Sequence, residues 1–158
     1  MSQAPSRRQD AVTLLDDDHI AVKKLFGQFK ALHEAGGAAA SKEKLVRTIC
    51  EELSIHMTIE EEIFYPAARG ALGDDDLMDE ATVEHAGAKE LIKQLEAMHA
   101  GDAMYDAKVT VLGEQIDHHV EEEREEMFPK ARSSGIDLVA LRHALEQRKA
   151  ELKEGVSA

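Results

Sequence analysis

The sequence has few of the residues that break helices or build sheets. Its 158 residues include 10 Gly, 3 Pro and 1 Cys, and aromatic residues make up 4% of the chain, with no Trp. Because aromatic and β-branched residues are typical of strands, the abundance of Ala, Leu, Glu and Lys favours helices. Since Cys50 is a single cysteine, no internal disulfide forms, and this fits a reducing cytoplasm.

Long hydrophobic runs and positive charge are also scarce. No stretch approaches the roughly 20 apolar residues that a membrane-spanning helix needs, and the first ten residues have no apolar segment typical of a secretory signal. The chain carries 19 Lys and Arg against 32 Asp and Glu, a formal net charge of -13. Such a surface repels phosphate backbones and anionic lipid. We therefore expect a cytoplasmic protein that binds neither nucleic acid nor a membrane.

What is present is a series of runs with an apolar residue at every third or fourth position. Four long runs and a shorter fifth cover about residues 10–36, 42–70, 75–101, 102–134 and 137–153. Ser41 is the expected N-cap of the second run, and the acids at 74–76 suit the start of the third. Short linkers between long helices force antiparallel neighbours. The prediction is an all-α protein, an antiparallel up-down-up-down four-helix bundle with an additional C-terminal helix.

The same runs divide the chain into three parts. Residues 1–9 are predicted to be a disordered N-terminal tail, residues 10–134 the four-helix bundle, and residues 135–158 an appended helix and tail. The fifth helix is amphipathic and has two interpretations. It caps the bundle, or it binds a partner or a second copy of the chain.

An internal repeat places histidine and glutamate on the apolar faces. Residues 56–69 read HMTIEEEIFYPAAR and residues 119–132 read HVEEEREEMFPKAR, and the two share their His, Glu, Pro, Ala and Arg positions. A fainter repeat links DHIAVKKL at 18–25 to EHAGAKEL at 84–91. The repeating unit is therefore a helical hairpin, with His on one helix and His-x-x-x-Glu on the next.

This repeat predicts a metal centre. The candidate ligands are His19, His56, Glu60, His85, His119 and Glu123. At about 1.5 Å of rise per residue, all six lie roughly 13 to 20 Å from the same end of the bundle. Buried imidazoles and carboxylates need compensation, and two metal ions with about two histidines each, bridged by Glu60 and Glu123, supply it. Mixed nitrogen and oxygen ligands with open positions suit iron or manganese better than a closed zinc site.

Neighbouring polar residues have plainer interpretations. His118, beside a candidate ligand, points about 100° away from it and is expected to flank or support the site. Cys50 is expected to fill the core. Glu61 is expected either at the surface or in support of a ligand, and the same two roles are open to Lys89.

These residues resemble the hemerythrin-like, or HHE cation-binding, family. The resemblance rests on D-H at 18–19, H-x-x-x-E with F-Y-P at 56–66, E-H at 84–85 and H-x-x-x-E with F-P at 119–129. It covers roughly residues 10–132. It implies a four-helix bundle with a non-haem di-iron centre that reacts with dioxygen or peroxide, in which the same six residues bind the two iron ions. Manganese and zinc are the substitute metals.

Two departures from the oxygen-carrying hemerythrins bear on function. Those proteins have a second histidine one turn after the ligand of the third helix, where this chain has Lys89. Their last carboxylate is also spaced one residue further from its histidine than Glu123 is from His119. Fewer histidine ligands leave more positions for water, peroxide or a further carboxylate. This argues against simple reversible oxygen carriage.

The resemblance implies a soluble di-iron protein that binds or reacts with dioxygen or peroxide, in oxygen binding or sensing or in protection against oxidative stress. Its enzymatic form would be a peroxidase-like, catalase-like or oxidase activity. Two alternatives stay open. One is iron storage, iron donation or repair of iron–sulfur centres. The repair members of the family carry an extra cysteine-bearing N-terminal segment, and residues 1–9 contain no cysteine. The other is a metal-dependent interaction module.

Overall fold

The computed structural model describes residues 9–157, and these form a helical bundle. The elements are α1 (Ala11–Glu34), α2 (Ala39–Ile59), π1 (Glu60–Phe64), α3 (Tyr65–Leu72), α4 (Asp75–Glu96), α5 (Tyr105–Glu122), π2 (Glu123–Met127), α6 (Phe128–Ser133) and α7 (Leu138–Ser157). The four rods of the bundle are α1, α2–π1–α3, α4 and α5–π2–α6. The predicted fold class is confirmed, with α7 as the additional helix. Except for residue 9, the predicted disordered tail lies outside the described residues.

The helix starts show one correct and one wrong sequence prediction. Asp74 caps α4 as expected, since its carboxylate accepts the backbone N–H of Leu77 at 3.1 Å. Ser41 does not cap the second rod, which begins at Ala39 and has no side-chain cap. The alanines that precede Ser41 are strong helix formers, so the helix starts before the serine.

The loop between the third and fourth rods is longer than the periodicity predicts. Here α4 ends at Glu96 and α5 begins at Tyr105, whereas the apolar pattern suggests a break only around 101–102. Gly101 and Met104 have φ angles of 99° and 74°, in the left-handed region that a helix cannot contain. Several residues of this loop are of types that favour helices, so helix propensity alone does not predict it.

A π turn interrupts each of the second and fourth rods. The turns span Glu60–Phe64 and Glu123–Met127, and in each the following residue donates its N–H to the glutamate carbonyl five positions back. Pro66 and Pro129 follow directly. Because proline lacks an N–H and clashes with the carbonyl four residues back, a wider turn accommodates it inside a rod. Both π turns begin at a predicted glutamate ligand.

The apolar core consists of two clusters on either side of a polar slab. One cluster contains Leu15 and Phe64, and the other contains Ile49, Leu112 and the buried Cys50, which fills the core as expected. Buried histidines and glutamates lie between the clusters. Within residues 9–157, no helix is long and apolar enough to cross a membrane.

The last helix packs along the bundle, against α1, α2 and π1. Its Leu145 is 0% exposed and belongs to the same apolar cluster as Leu15. On the same helix, Arg148 donates to Glu62 at 2.7 Å and Lys149 donates to Asp18 at 2.5 Å. The helix therefore joins the core and contacts polar groups of two rods.

We expect Leu145→Ala to lower the free energy of unfolding by about 2–5 kcal/mol, because it leaves a cavity where α7 meets the core. Urea unfolding measures this change. Val139→Ala is the matched control on the same helix, since Val139 is 40% exposed. It should change stability by less than about 0.5 kcal/mol. Equal effects of the two substitutions would mean that α7 does not contribute to the core.

Candidate metal centre

The structure brings all six predicted ligands into one buried cluster. They are His19, His56, Glu60, His85, His119 and Glu123, and each is at most 6% exposed. Their donor atoms form two groups, each with all atoms within 4.8 Å of one another. The first donor group consists of His19, His56, Glu60 and Glu123, and the second donor group consists of Glu60, His85 and His119. Glu60 belongs to both groups.

The histidines direct their Nε2 atoms toward the glutamates. Nε2 of His19 lies 3.0 Å from Glu123 Oε1 and 3.1 Å from Nε2 of His56. Nε2 of His56 and Nε2 of His85 lie 3.3 and 3.1 Å from Glu60 Oε1. Two ligands bound to one metal ion at about 2.1 Å are themselves about 3.0–3.4 Å apart. The spacing of these atoms therefore fits coordination shells of first-row metal ions.

One carboxylate oxygen in the cluster has no partner. Oε2 of Glu60 is buried and makes no hydrogen bond to any described residue, whereas Oε1 of Glu123 lies 3.0 Å from Nε2 of His19. Buried polar atoms are nearly always paired, so an unpaired oxygen calls for an explanation. A cation is a partner that carboxylate oxygens and imidazole nitrogens can share. The residues thus fit bound metal, and Glu123 reaches toward both groups, at 3.0 Å from His19 and 3.4 Å from His119.

A carboxylate holds each imidazole from behind. The Nδ1 atoms of His19, His56, His85 and His119 lie 3.3, 2.9, 2.7 and 2.6 Å from Asp16, Asp18, Glu61 and Glu84, respectively. We call these four acids the outer carboxylates. When Nδ1–H donates a hydrogen bond, the lone pair of Nε2 is free to bind a metal, and the orientation of the ring is fixed. All four histidines are therefore oriented to bind a metal through Nε2.

Three of the outer carboxylates contact a basic side chain in turn. Asp16 pairs with Arg124 at 2.6 Å, Asp18 with Lys149 at 2.5 Å, and Glu61 with Lys89 at 2.5 Å. Glu61 and Lys89 were expected either at the surface or in support of a ligand. The structure agrees with support of the candidate ligand His85, because Glu61 contacts His85 and Lys89 contacts Glu61.

The fourth outer carboxylate, Glu84, has a different environment. No Lys or Arg between residues 9 and 155 pairs with it, and its Oε2 lies 3.7 Å from Nε2 of His118. His118 therefore flanks the cluster, as the sequence predicted, and its ring is largely exposed.

The charges in the cluster shift the pKa values of its members. Burial alone would lower the pKa of His119, but the charge and hydrogen bond of Glu123, with the help of other carboxylates, raise it to about 10. Burial alone would raise the pKa of Glu123, but His119 and His19 hold it well below its usual range. Without metal, a proton on His119 therefore balances the charge of Glu123, and a metal ion must displace that proton.

Tyr65 lies at the centre of the cluster and was not among the predicted ligands. Its hydroxyl donates to Glu123 Oε2 at 2.7 Å and lies 3.0 and 3.1 Å from Nε2 of His119 and of His85. Oε1 of Glu60 lies 3.3 Å away. Burial, and then the charges of the two glutamates, raise the pKa of Tyr65 well above its usual value. A phenol oxygen is thus available beside the second donor group.

The π turn explains why the sequence did not predict Tyr65. A residue five positions after Glu60 lies about 140° around a regular α-helix, away from the ligand face. In the π turn, the N–H of Tyr65 bonds the Glu60 carbonyl, which brings the two side chains to the same side. The repeat held a signal, because Tyr65 matches Phe128 and each directly precedes a proline. Phe128 instead stacks on His19, with ring centroids 5.8 Å apart.

A cleft leads from the surface to the cluster on the side of α1 and α5. It has a volume of about 390 Å³, and its lining includes His19, Phe26, Ile116 and Arg124. His19 is one of the six cluster residues, so the cleft connects solvent with the first donor group. Its size suits small molecules.

Comparisons with known proteins agree with this architecture. The family model of the hemerythrin HHE cation-binding domain matches residues 10–131. A crystal structure of a hemerythrin HHE cation-binding domain-containing protein from Mycobacterium kansasii is similar, with a TM-score of 0.76 and 20% identity over 92% of this chain and 88% of that one. At this identity the likeness shows the fold alone. None of the curated proteins matches the sequence.

In the metal-free protein, we expect the free energy of unfolding to fall as the pH rises from about 7 to about 10. His119 has a pKa of about 10 in the folded protein and 6.5 as a model value, so its protonated form stabilises the folded state. That contribution is complete below the unfolded pKa and is lost as the pH rises through the folded pKa. Urea unfolding of chelator-treated protein at several pH values measures it.

The variant His119→Gln should show a weaker pH dependence, whereas His143→Gln, at a ring that is 77% exposed, should match the unsubstituted protein. Identical pH dependence in all three proteins would contradict the proton balance described for the cluster.

Proposed function

Because the chain belongs to the hemerythrin HHE cation-binding family, we propose that its metal centre binds two iron ions and reacts with dioxygen or hydrogen peroxide. The observation that carries this proposal is the pair of buried donor groups that share Glu60. Such a shared carboxylate suits two ions held side by side. A cytoplasmic location is part of the same proposal.

Each ion would be held by two histidines. His19 and His56 would bind the first ion, and His85 and His119 the second. Glu60 and Glu123 would bridge the two, since each contacts histidines of both pairs. Bound iron would supply the change of oxidation state that dioxygen or peroxide chemistry requires.

The donor set supports iron over structural zinc. Structural zinc sites are closed, four-coordinate and commonly built from cysteine, whereas the one cysteine of this chain, Cys50, lies in the apolar core. Two imidazoles and shared carboxylates leave coordination positions open for a small ligand. Tyr65 adds a phenol oxygen, a donor that suits ferric iron. Manganese would accept the same donors and is the substitute that metal analysis would reveal.

The residues around the centre suit a small reactant. The cleft lined by His19 gives it a route inward, and Phe26 and Ile116 supply an apolar part of the lining. The hydroxyl of Tyr65 lies 2.7 Å from Glu123 Oε2, and it would lose its proton when its oxygen binds iron. The outer carboxylates keep the four imidazoles fixed meanwhile.

We expect about two irons per chain in protein purified from iron-replete cells. His85→Ala should lose one or both ions, because it removes a donor from the second group. His143→Ala should keep both, since the ring of His143 is exposed and remote from the cluster. Metal content is measured by mass spectrometry of the purified proteins. No metal in the unsubstituted protein, or one zinc ion that His85→Ala leaves in place, would contradict the two-iron centre.

We expect the iron-loaded protein to change its visible absorption when oxygen or peroxide is added. Ferric iron bound to a phenolate absorbs visible light, so Tyr65→Phe should remove part of this absorption while it retains iron. The replacement keeps the aromatic ring and removes the hydroxyl that contacts four donor residues. Stopped-flow absorption measures both the spectrum and the rate of peroxide loss.

The paired control is Tyr105→Phe. Tyr105 is buried in the apolar cluster on the other side of the polar slab, so its hydroxyl should not affect the spectrum. An iron-loaded protein that binds two ions but responds to neither oxidant would contradict the proposed reactivity. It would leave iron storage or donation as the function.

A further inference from the structure

We propose that Lys149 of α7 is a positioning residue for the metal centre: through Asp18 it orients His56 and so strengthens ion binding at the first donor group. The inference rests on the proposed two-ion centre and adds a role for the appended helix. It makes the two ion positions unequal, because α7 supports only one of them.

A continuous chain of contacts leads from α7 to the inside of the cluster. Nζ of Lys149 lies 2.5 Å from Oδ1 of Asp18, and Oδ2 of the same carboxylate lies 2.9 Å from Nδ1 of His56. The exposed fraction of the side chains falls along this chain, from 25% for Lys149 to 13% for Asp18 and 6% for His56. Each oxygen of Asp18 therefore has its own partner, one from α7 and one from the candidate ligand.

The lysine restricts the freedom of Asp18. An aspartate that contacts only the imidazole can rotate toward water, and the ring then loses the bond that fixes its orientation. A cation on the second oxygen opposes this rotation. Partners behind a metal-binding histidine commonly change metal affinity about 10- to 100-fold when they are removed. Lys149 acts one contact further out, so an effect at the lower end of that range is expected.

The internal repeat provides the comparison that isolates α7. Asp18 precedes His19 in the chain and holds the histidine of the next rod, and Glu84 precedes His85 and likewise holds His119, at 2.6 Å. The two halves of the repeat therefore have equivalent contacts from the histidine out to the outer carboxylate. Beyond it they differ: Asp18 meets Lys149, whereas no Lys or Arg among residues 9–155 pairs with Glu84. The difference between the halves arises because α7 packs against α1, α2 and π1, all in the first half.

The same helix supplies a control at a separate position. Lys153 lies one turn after Lys149 and pairs with Glu52 at 3.7 Å. Neither Lys153 nor Glu52 belongs to a donor group or to the outer carboxylates. Replacing Lys153 therefore removes a charge from α7 but leaves the contacts behind the histidines intact.

The test is a titration of metal-free protein with cobalt(II), followed by absorption and by competition with a chelating dye. Lys149→Met should weaken binding of one of the two ions about tenfold. Lys149→Arg should restore the affinity to within about threefold, and Lys153→Met should leave both ions unaffected. Urea unfolding of the metal-free variants separates this effect from a loss of stability.

Combining Lys149→Met with the loss of one candidate ligand shows which donor group it affects. In His85→Ala, where the second donor group is impaired, Lys149→Met should still weaken the remaining ion. In His56→Ala, which removes the imidazole that Lys149 is proposed to orient, it should have no further effect, because the two substitutions then act on one chain of contacts and are not independent. Equal weakening in both backgrounds, or equal behaviour of Lys149→Met and Lys153→Met, would overturn the inference.

The unsubstituted protein distinguishes this inference from the proposed function. If it binds a single ion whose affinity falls in Lys149→Met, the two-ion centre is wrong and the positioning role is supported. If it binds two ions and Lys149→Met leaves both affinities unchanged, the centre stands and the positioning role is wrong. If it binds no cobalt, both are overturned.

Discussion

The burial of four imidazoles, two carboxylates and a phenol in one slab of a helical bundle is the constraint on which this structure depends. Isolated charges in such a position are unfavourable by several kcal/mol each unless they are paired. The slab divides the apolar core into two clusters, and a buried histidine interrupts the apolar face of each of the four rods. Without metal, a proton on His119 balances the charge of Glu123, as the raised pKa of the histidine and the lowered pKa of the glutamate indicate. With metal, the ions take over that balance. The buried negative charge is thus balanced in both states, by protonated imidazole without metal and by metal ions when they are bound.

Acidic residues outnumber basic ones in this chain, and three of the basic residues contact outer carboxylates of the buried cluster. Arg124, Lys149 and Lys89 each hold an outer carboxylate that in turn holds a histidine. These three come from the fourth rod, from α7 and from α4, so the cluster is tied to elements on several sides. For His19, His56 and His85, the imidazole therefore cannot rotate unless its carboxylate moves, and that carboxylate cannot move unless it leaves its cation. Pre-organisation of this kind lowers the cost of arranging the ligands when metal binds.

The sequence predicted the fold class, and the six residues that it placed at one level lie in one cluster in the structure. Both followed from a repeat of His-x-x-x-Glu with a preceding acid–His pair, which is visible without a structure. Three features were beyond it. An analysis based on a period of 3.6 residues cannot detect the π turn that directs Tyr65 inward, although the prolines after both π turns indicate where the turns lie. Three of the four histidines are held by a carboxylate of another rod, so that Asp18 holds His56 and not its neighbour His19. Such contacts depend on how the rods are rotated against one another. The start of α2 at Ala39 followed backbone propensity and not the cap that Ser41 offered.

Tyr65 and Lys89 together bear on the chemistry of the proposed centre. Oxygen-carrying hemerythrins, which this sequence resembles, have a histidine at the position of Lys89, but here that side chain is turned outward onto Glu61. The phenol of Tyr65 reaches the second donor group from a different rod. In the proposed centre, an oxygen donor that becomes anionic on losing its proton would thus take the place of one neutral imidazole. Anionic oxygen ligands stabilise ferric over ferrous iron, whereas reversible oxygen carriage needs a ferrous resting state. Such an exchange would favour a centre that cycles between oxidation states when it meets an oxidant. The two residues that would cause it, Tyr65 and Lys89, are ones that the repeat alone treats as equivalent to Phe128 and Lys23.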